Sequence, residues 1–177
     1  LASQMGAAII KGYQGTTLDQ FHVAACLKHF VGYSAAQSGR DRTPAWIPEK
    51  YMKELYLPAF KKAVEAGALT VMVNSGVVNG IPGHLNYDLL TKTLKNEWGF
   101  QGFAVSDWED FIFIHTVHHT APNLKTAYVN AFNAGVDMSM VPYSPQYKEY
   151  CEIMLEGVKS GVIPMSRLDD AVRRILR

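Results

Sequence analysis

The chain has 177 residues, of which 48% are apolar and 19% are charged, with 17 Lys and Arg against 16 Asp and Glu. This composition is that of an ordinary globular domain with a sizeable core. A net charge of +1 gives no reason to expect a nucleic-acid or membrane-surface partner, because both are bound mainly through clustered positive charge. The sequence also contains no apolar run of the roughly 20 residues that a membrane-spanning helix needs.

The chain order predicts a repeated strand–helix pattern. Periodic apolar positions and helix stop signals predict helices over 2–12, 47–67, 87–99, 123–134, 144–161 and 166–177, with Ser166 as the N-cap of the last. Apolar runs predict strands centred near 27, 71, 104 and 137, and the last two intervals are each about 33 residues, the length of one βα unit. Strands that are apolar on both faces favour a parallel sheet covered by helices, and hence an α/β fold.

Polar or reactive residues follow the apolar body of each predicted strand. Lys28–His29 ends the first strand, Asn74–Ser75 the second, Asp107–Trp108 the third and Asp137 the fourth. In parallel α/β folds, ligands bind beyond the carboxyl ends of the strands. The sequence therefore predicts an active site at this edge of the sheet.

A carboxylate beside a tryptophan suits the hydrolysis of sugars. Glycoside hydrolysis passes through an oxocarbenium-like transition state, and its retaining form uses one carboxylate as nucleophile and a second as acid/base. The indole of Trp108 offers a flat apolar face for a sugar ring, while Lys28 and His29 offer hydrogen-bond donors to hydroxyl groups.

Four ordered sequence blocks resemble glycoside hydrolase family 3, the β-glucosidase and β-xylosidase group. The blocks are LKHF with VGY, VMVNSGVVNGIPGHLN, GFQGFAVSDWED and NAGVDMSMVP. The resemblance implies that Asp107 is the nucleophile, that Lys28 and His29 bind hydroxyls of the non-reducing sugar, and that Trp108 lines the next sugar site. It gives His84 and Asn86 a role in loop order, and it implies no metal and no cofactor.

The resemblance also implies an organisation. Residues 1–177 would form the C-terminal half, about four βα units, of a TIM-type (β/α)8 barrel, and the acid/base would lie on a second domain outside this chain. The first residues look like a helix within a domain, so we expect a fragment that is inactive alone. The implied function is retaining, exo-acting hydrolysis of β-glucosides or oligosaccharides, in a periplasmic or secreted protein rather than a cytoplasmic one.

Two other function classes remain open from the residues. One is a lyase or aldolase that uses Lys28 as a Schiff base, and the other is a non-catalytic carbohydrate-binding remnant. Lack of borohydride trapping with carbonyl substrates would remove the first, and hydrolysis of an aryl β-glucoside by these 177 residues alone would contradict the second.

Several further residues have competing interpretations. Asp137 is expected to make structural hydrogen bonds, and Glu109 and Asp110 to be solvated or capping. The three histidines at 115, 118 and 119 could hold a metal on a helix face, although packing is favoured. The run from Arg40 to Arg42 could be a salt-bridged loop or could contact substrate. The two cysteines, Cys26 and Cys151, are expected to be buried free thiols.

Overall fold

The computed structural model describes residues 1–143 and 145–177, and it has the α/β architecture that the sequence predicts. Four parallel strands form one sheet in the order β1–β2–β5–β6. Its strands are Cys26–Phe30 (β1), Thr70–Val73 (β2), Phe103–Trp108 (β5) and Met138–Met140 (β6). A separate antiparallel pair is formed by Val77–Val78 (β3) and Ile81–Pro82 (β4).

Helical segments separate the strands of the sheet. The α-helices are Ala2–Gln14 (α1), Glu49–Tyr51 (α2), Leu57–Glu65 (α3), Asp110–Thr116 (α4), Leu124–Ala134 (α5), Gln146–Lys159 (α6) and Met165–Leu176 (α7). Met52–Tyr56 between α2 and α3, and Asp88–Glu97 between β4 and β5, have π-helical hydrogen bonding. The prediction of a helix after each strand is confirmed, although Ser144, the first residue of one predicted helix, lies outside the described residues.

The main core lies between the sheet and the helices that follow β2 and β5. The central strand β2 turns Val71 and Val73 into it, and both side chains are fully buried. Leu94 comes from the π-helical segment, while Phe111 and Tyr128 come from α4 and α5. This packing holds the carboxyl ends of the strands in fixed positions relative to one another.

A β-hairpin occupies the segment after β2 that the sequence predicts as loop. The β3–β4 pair turns the chain back so that Gly83 lies directly against the carbonyl oxygen of Asn74, where a Cβ atom would overlap it. The Gly83 N–H donates to the Gly76 carbonyl at 3.0 Å. Glycine at this position therefore allows the residue that follows it, His84, to enter the edge of the sheet.

The structural role expected for Asp137 is confirmed. Its carboxylate accepts hydrogen bonds from Lys95 Nζ and Arg167 Nη2, both at 2.7 Å, and from the Ala104 N–H at 2.8 Å. Asp137 and Lys95 are both buried, so this ion pair joins the segment before β5 to β6 and α7 within the core.

Three local predictions are wrong. Cys26 and Cys151 are both exposed rather than buried, because Cys26 lies on an outer strand of the described sheet and Cys151 on the outer face of α6. The N-cap of α7 is Pro164, not Ser166. The helix begins at Met165 because the Pro164 carbonyl accepts the N–H groups of Arg167 and Leu168, at 2.9 and 3.2 Å, which leaves Ser166 inside the first turn.

Candidate active site

Residues from three neighbouring strands meet at the carboxyl edge of the sheet. Asp107 is the penultimate residue of β5, Ser75 follows the end of β2, and His29 lies near the end of β1. Because these strands are parallel and adjacent, their carboxyl ends lie side by side. The edge predicted from the strand ends is thus where these side chains converge.

The carboxylate of Asp107 is surrounded by donors. Its Oδ1 accepts the Trp108 N–H at 2.6 Å and lies 3.6 Å from Arg42 Nη2. Its Oδ2 lies 3.0 Å from Ser75 Oγ and 3.4 Å from His29 Nε2. The side chain is 17% exposed, so it is held on several sides and still reaches solvent.

These contacts favour the ionised form of Asp107. Partial burial raises the pKa of the carboxyl, but the hydrogen bonds from Trp108 and Ser75, with the charge of Arg42, outweigh it and leave the pKa below its ordinary value. At neutral pH, Asp107 is therefore a fixed anion at a solvent-accessible strand end.

Two histidines flank this carboxylate, and both are neutral at pH 7. Burial lowers the pKa of His84 to about 3, and its Nε2 accepts the backbone N–H of Asp107 at 3.3 Å. Burial also lowers the pKa of His29, whose ring lies 4.4 Å from that of Tyr33. His84 therefore fixes the backbone of Asp107, while His29 faces its carboxylate.

Asp110 is a second carboxylate of the site, and the expectation that it would be solvated or capping is wrong. Its side chain is 1% exposed because the first turn of α4 directs it beneath Asp107. Its Oδ2 lies 2.5 Å from Ser75 Oγ, and its Oδ1 lies 3.3 Å from Arg42 Nη1. Burial raises the pKa of Asp110 to about 7, even though Ser75 and Arg42 both favour its ionised form.

Arg42 joins the two carboxylates from the loop after β1. One guanidinium nitrogen faces Asp107 and the other faces Asp110, and the Trp108 carbonyl accepts a further hydrogen bond at 3.3 Å. The guanidinium also stacks over the ring of Phe113. Of the two interpretations of this loop, the ion-paired one describes Arg42, while Asp41 accepts a hydrogen bond from Tyr33 at 2.7 Å.

Trp108 and Lys28 lie apart from this cluster. The side chain of Trp108 is 42% exposed, and its ring packs edge-on against Tyr143 with centroids 5.7 Å apart. Lys28 is exposed on β1 and lines an apolar groove beside α1. Among the described residues, His29 lies beside Asp107, whereas Lys28 forms no ion pair with it. The contact of Lys28 with substrate stays a prediction.

The histidines of the sequence HTVHH are accounted for by local packing. The Nδ1 atoms of His115 and His119 face carbonyl oxygens, of Ala121 at 2.9 Å and of His115 at 3.1 Å. Within 1–143 and 145–177, no three His, Cys, Asp or Glu side chains are grouped so that they could hold a metal ion.

Sequence reasoning missed Ser75, Asp110 and the pairing of Arg42 with the carboxylates of Asp107 and Asp110. Ser75 was visible only as a polar residue after a strand, and Asp110 only as one of three acids in DWED. Neither signal shows that a helix begins at Asp110 and directs its carboxyl inward. His84 was expected to order a loop, and its contact with the Asp107 backbone is compatible with that role.

A parallel sheet whose strand ends converge on an ionised carboxylate is typical of α/β enzymes, which bind their ligands beyond the carboxyl ends of the strands. The model of the glycosyl hydrolase family 3 N-terminal domain matches residues 1–177. The chain therefore belongs to glycoside hydrolase family 3, as its sequence blocks indicate. The N-terminal domain of that family is a TIM-like barrel, which agrees with the parallel sheet seen here.

Curated relatives match almost the whole chain. A lysosomal β-glucosidase of Dictyostelium discoideum is 44% identical over 183 residues, covering 99% of this chain and 22% of the relative. A periplasmic β-glucosidase of Salmonella typhimurium is 36% identical over 178 residues, with 99% and 22% covered. The chain thus spans about a fifth of the length of these relatives.

The fold matches solved structures of the same family. A β-glucosidase from Listeria innocua superimposes with a TM-score of 0.90 at 34% identity, covering 98% of this chain and 24% of that protein. The Listeria protein has also been solved with glucose and with isofagomine. Among the helices of the described part of this chain, none combines the length and apolarity needed to cross a bilayer.

Proposed function

We propose that this chain supplies the nucleophile of a retaining, exo-acting β-glycoside hydrolase that acts on β-glucosides, and that Asp107 is that nucleophile. The observation that carries the proposal is the environment of Asp107. Its carboxylate is ionised at neutral pH, is oriented by Trp108, Ser75 and Arg42, and remains accessible to a ligand. A nucleophilic carboxylate needs these three properties together.

In the proposed reaction, an oxygen of the Asp107 carboxylate attacks the anomeric carbon from the face opposite the leaving group. The glycosidic C–O bond breaks, and a general acid donates a proton to the departing oxygen. The conjugate base of that acid then takes a proton from water, whose oxygen attacks the anomeric carbon and displaces Asp107 as a carboxylate, so that the sugar is released with its original β configuration.

The general acid is expected outside these 177 residues. A retaining mechanism places its two carboxyl groups about 5–5.5 Å apart, on opposite sides of the scissile bond. Asp110 is 1% exposed and lies beneath Asp107, so it has no access to a leaving group. We therefore keep the interpretation that residues 1–177 form the C-terminal half of the barrel and that another domain supplies the acid/base.

Substrate contacts are assigned to His29, Lys28 and Trp108. His29 is placed beside Asp107, where it can reach a hydroxyl of the sugar that is attacked. Trp108 offers an exposed indole face next to the nucleophile, which suits the apolar face of a sugar. We propose a β-linked glucoside as substrate and a site of action outside the cytoplasm, in line with the names of the lysosomal and periplasmic relatives.

The lyase alternative has no structural observation in its favour. A Schiff-base lysine would leave Asp107 without a role, whereas side chains from three parts of the chain converge on that carboxylate.

The test is to trap the intermediate in a full-length protein that carries this sequence. The probe is a 2-deoxy-2-fluoro-β-glucoside with a good leaving group, which slows the breakdown of the glycosyl-enzyme. We expect peptide mapping to find one fluoroglucosyl group on Asp107 and none in an Asp107→Asn variant. A label on another carboxylate would overturn the assignment of Asp107.

A further inference from the structure

We infer that Asp110 is a positioning residue, which holds a proton on its carboxyl group so that the single hydroxyl proton of Ser75 is directed to Asp107. This inference rests on the proposed role of Asp107 as nucleophile, and it assigns a function to a buried acid that does not itself touch the substrate.

The hydrogen-bond count around Ser75 carries the inference. Ser75 Oγ lies 2.5 Å from Asp110 Oδ2 and 3.0 Å from Asp107 Oδ2, yet a serine hydroxyl has only one hydrogen to donate. With both carboxylates ionised, one of these two contacts would bring oxygen atoms together without a proton. With Asp110 protonated, Asp110 donates to Ser75 and Ser75 donates to Asp107, so both contacts are satisfied.

His84 is the other side chain near Asp110 Oδ2, and it cannot donate a hydrogen bond to that oxygen. Its Nε2 lies 3.5 Å from Asp110 Oδ2, but the same nitrogen accepts the Asp107 N–H. An accepting Nε2 carries no hydrogen in the neutral ring. An ionised Asp110 would therefore place an oxygen lone pair toward a nitrogen lone pair, in a site where neither group reaches water.

The charges around Asp110 favour the same state. Three charged groups act on Asp110: Arg42 and Asp41 from the loop after β1, and Asp107 from β5. His84 lies 3.5 Å from Asp110, while His29 lies beside Asp107 and His118 beside the Ser75 backbone. Burial lowers the pKa of all three histidines, so they are neutral and Arg42 is the one cation of this set. Its charge is shared with the ionised Asp107, so little remains to compensate a second buried anion.

Asparagine is a matched substitute for a protonated Asp110. Arg42 Nη1 faces Asp110 Oδ1, so the amide oxygen of Asp110→Asn would accept from Arg42. Its NH2 group would then face Ser75 Oγ and donate as the protonated carboxyl does. Ser75→Ala removes the donor to Asp107, and Glu109→Gln changes the neighbouring acid without touching this chain of hydrogen bonds.

The measurement is the rate at which a full-length enzyme carrying this sequence is inactivated by the activated fluoroglucoside, as a function of pH. This step reports attack by Asp107, and its leaving group departs without needing a proton. We expect the unmodified and Glu109→Gln enzymes to lose rate as pH rises through about 7, the pKa of Asp110. Asp110→Asn should lose this pH dependence and react at least about 10-fold faster than Ser75→Ala, the loss expected for one hydrogen bond to a charged group.

The possible results distinguish failure of the inference about Asp110 from failure of the proposed role of Asp107. If Asp110→Asn is as slow as Ser75→Ala, the site needs an ionised Asp110 and the inference is wrong. It is equally wrong if Asp110→Asn keeps the decline near pH 7. Should Ser75→Ala fail to fold, the pH profile of Asp110→Asn still decides. A label found elsewhere than on Asp107 would instead overturn the proposed function.

Discussion

One guanidinium nitrogen of Arg42 lies 3.6 Å from the carboxylate of Asp107. The two residues come from different parts of the chain, a loop after β1 and the end of β5, and meet only because their strands share one edge of the sheet. The positive charge of Arg42 is one of the causes that keep the pKa of Asp107 low.

Removing this charge should therefore shift the acid limb of activity. In Arg42→Ala, we expect the pKa of Asp107 to rise, because its ionised form loses an opposite charge. The pH at which kcat/KM falls on the acid side should move upward by up to about 1 unit. The measurement is the pH profile of kcat/KM with an aryl β-glucoside, in a full-length enzyme.

Arg40→Ala is the matched control, because Arg40 lies in the same loop and is exposed. Within the described residues it has no carboxylate partner at salt-bridge distance. An equal shift of the acid limb in both variants would mean that general loop charge, rather than the contact with Asp107, sets the profile.

The exposed indole of Trp108 gives a prediction about binding. Trp108→Ala should raise KM for an aryl glucoside about 10-fold, the loss of roughly 1.4 kcal/mol expected when an aromatic contact surface is removed. Trp108→Phe keeps a flat apolar ring and should recover most of this loss. If both variants bind substrate as tightly as the unmodified enzyme, Trp108 does not line a sugar site.

The buried carboxylate of Asp137 gives a prediction about stability. Asp137→Ala leaves Lys95 and Arg167 with Asp170 as their one remaining carboxylate partner in the described part of the chain, and breaking a buried ion pair typically costs about 3–5 kcal/mol. We expect a clear loss of thermal stability in differential scanning calorimetry. Asp88→Ala is the control, because its ion pair with Lys92 is solvent-exposed and should cost less than about 1 kcal/mol. Equal losses would show that the buried network is not a main support of the fold.

Asp110 should make stability depend on pH in the direction opposite to most carboxylates. Its pKa in the folded protein is about 7, above its ordinary value of 3.8, so between these two values the folded state binds more protons than the unfolded state. Stability should therefore decline as pH rises from about 4 to about 7. Asp110→Asn should remove this decline, which amounts to at most about 4 kcal/mol, as measured by thermal unfolding across that range. A parallel pH dependence in the two proteins would contradict the assigned pKa.

The sequence predicted the α/β architecture because its signals are local and strong. Apolar runs such as FAVS are bounded by polar residues, and helices end at glycines, so both strands and helices can be placed without tertiary information. Asp107 and His29 could be found for the same reason, since both sit at strand ends. Parallel pairing then makes those ends meet.

The features of the site that could not be predicted from the sequence depend on tertiary packing. Burial of Asp110 follows from the start of α4 directly after a left-handed residue, Glu109, and the sequence DWED does not reveal that turn. The role of Ser75 depends on two carboxylates that come from another strand and another helix. Likewise, the N-cap is Pro164 rather than the predicted Ser166 because the Pro164 carbonyl accepts the first helical N–H groups.

The most direct test of Asp107 is to restore its function chemically. In a full-length enzyme, Asp107→Gly removes the nucleophile and leaves space on the side of the sugar opposite the leaving group. With an activated aryl β-glucoside, we expect almost no turnover without azide, and restored turnover with azide that yields the α-glucosyl azide, because azide attacks from the side of the missing carboxylate. A variant that keeps its full rate without azide, or that forms only the β-azide, would contradict the account.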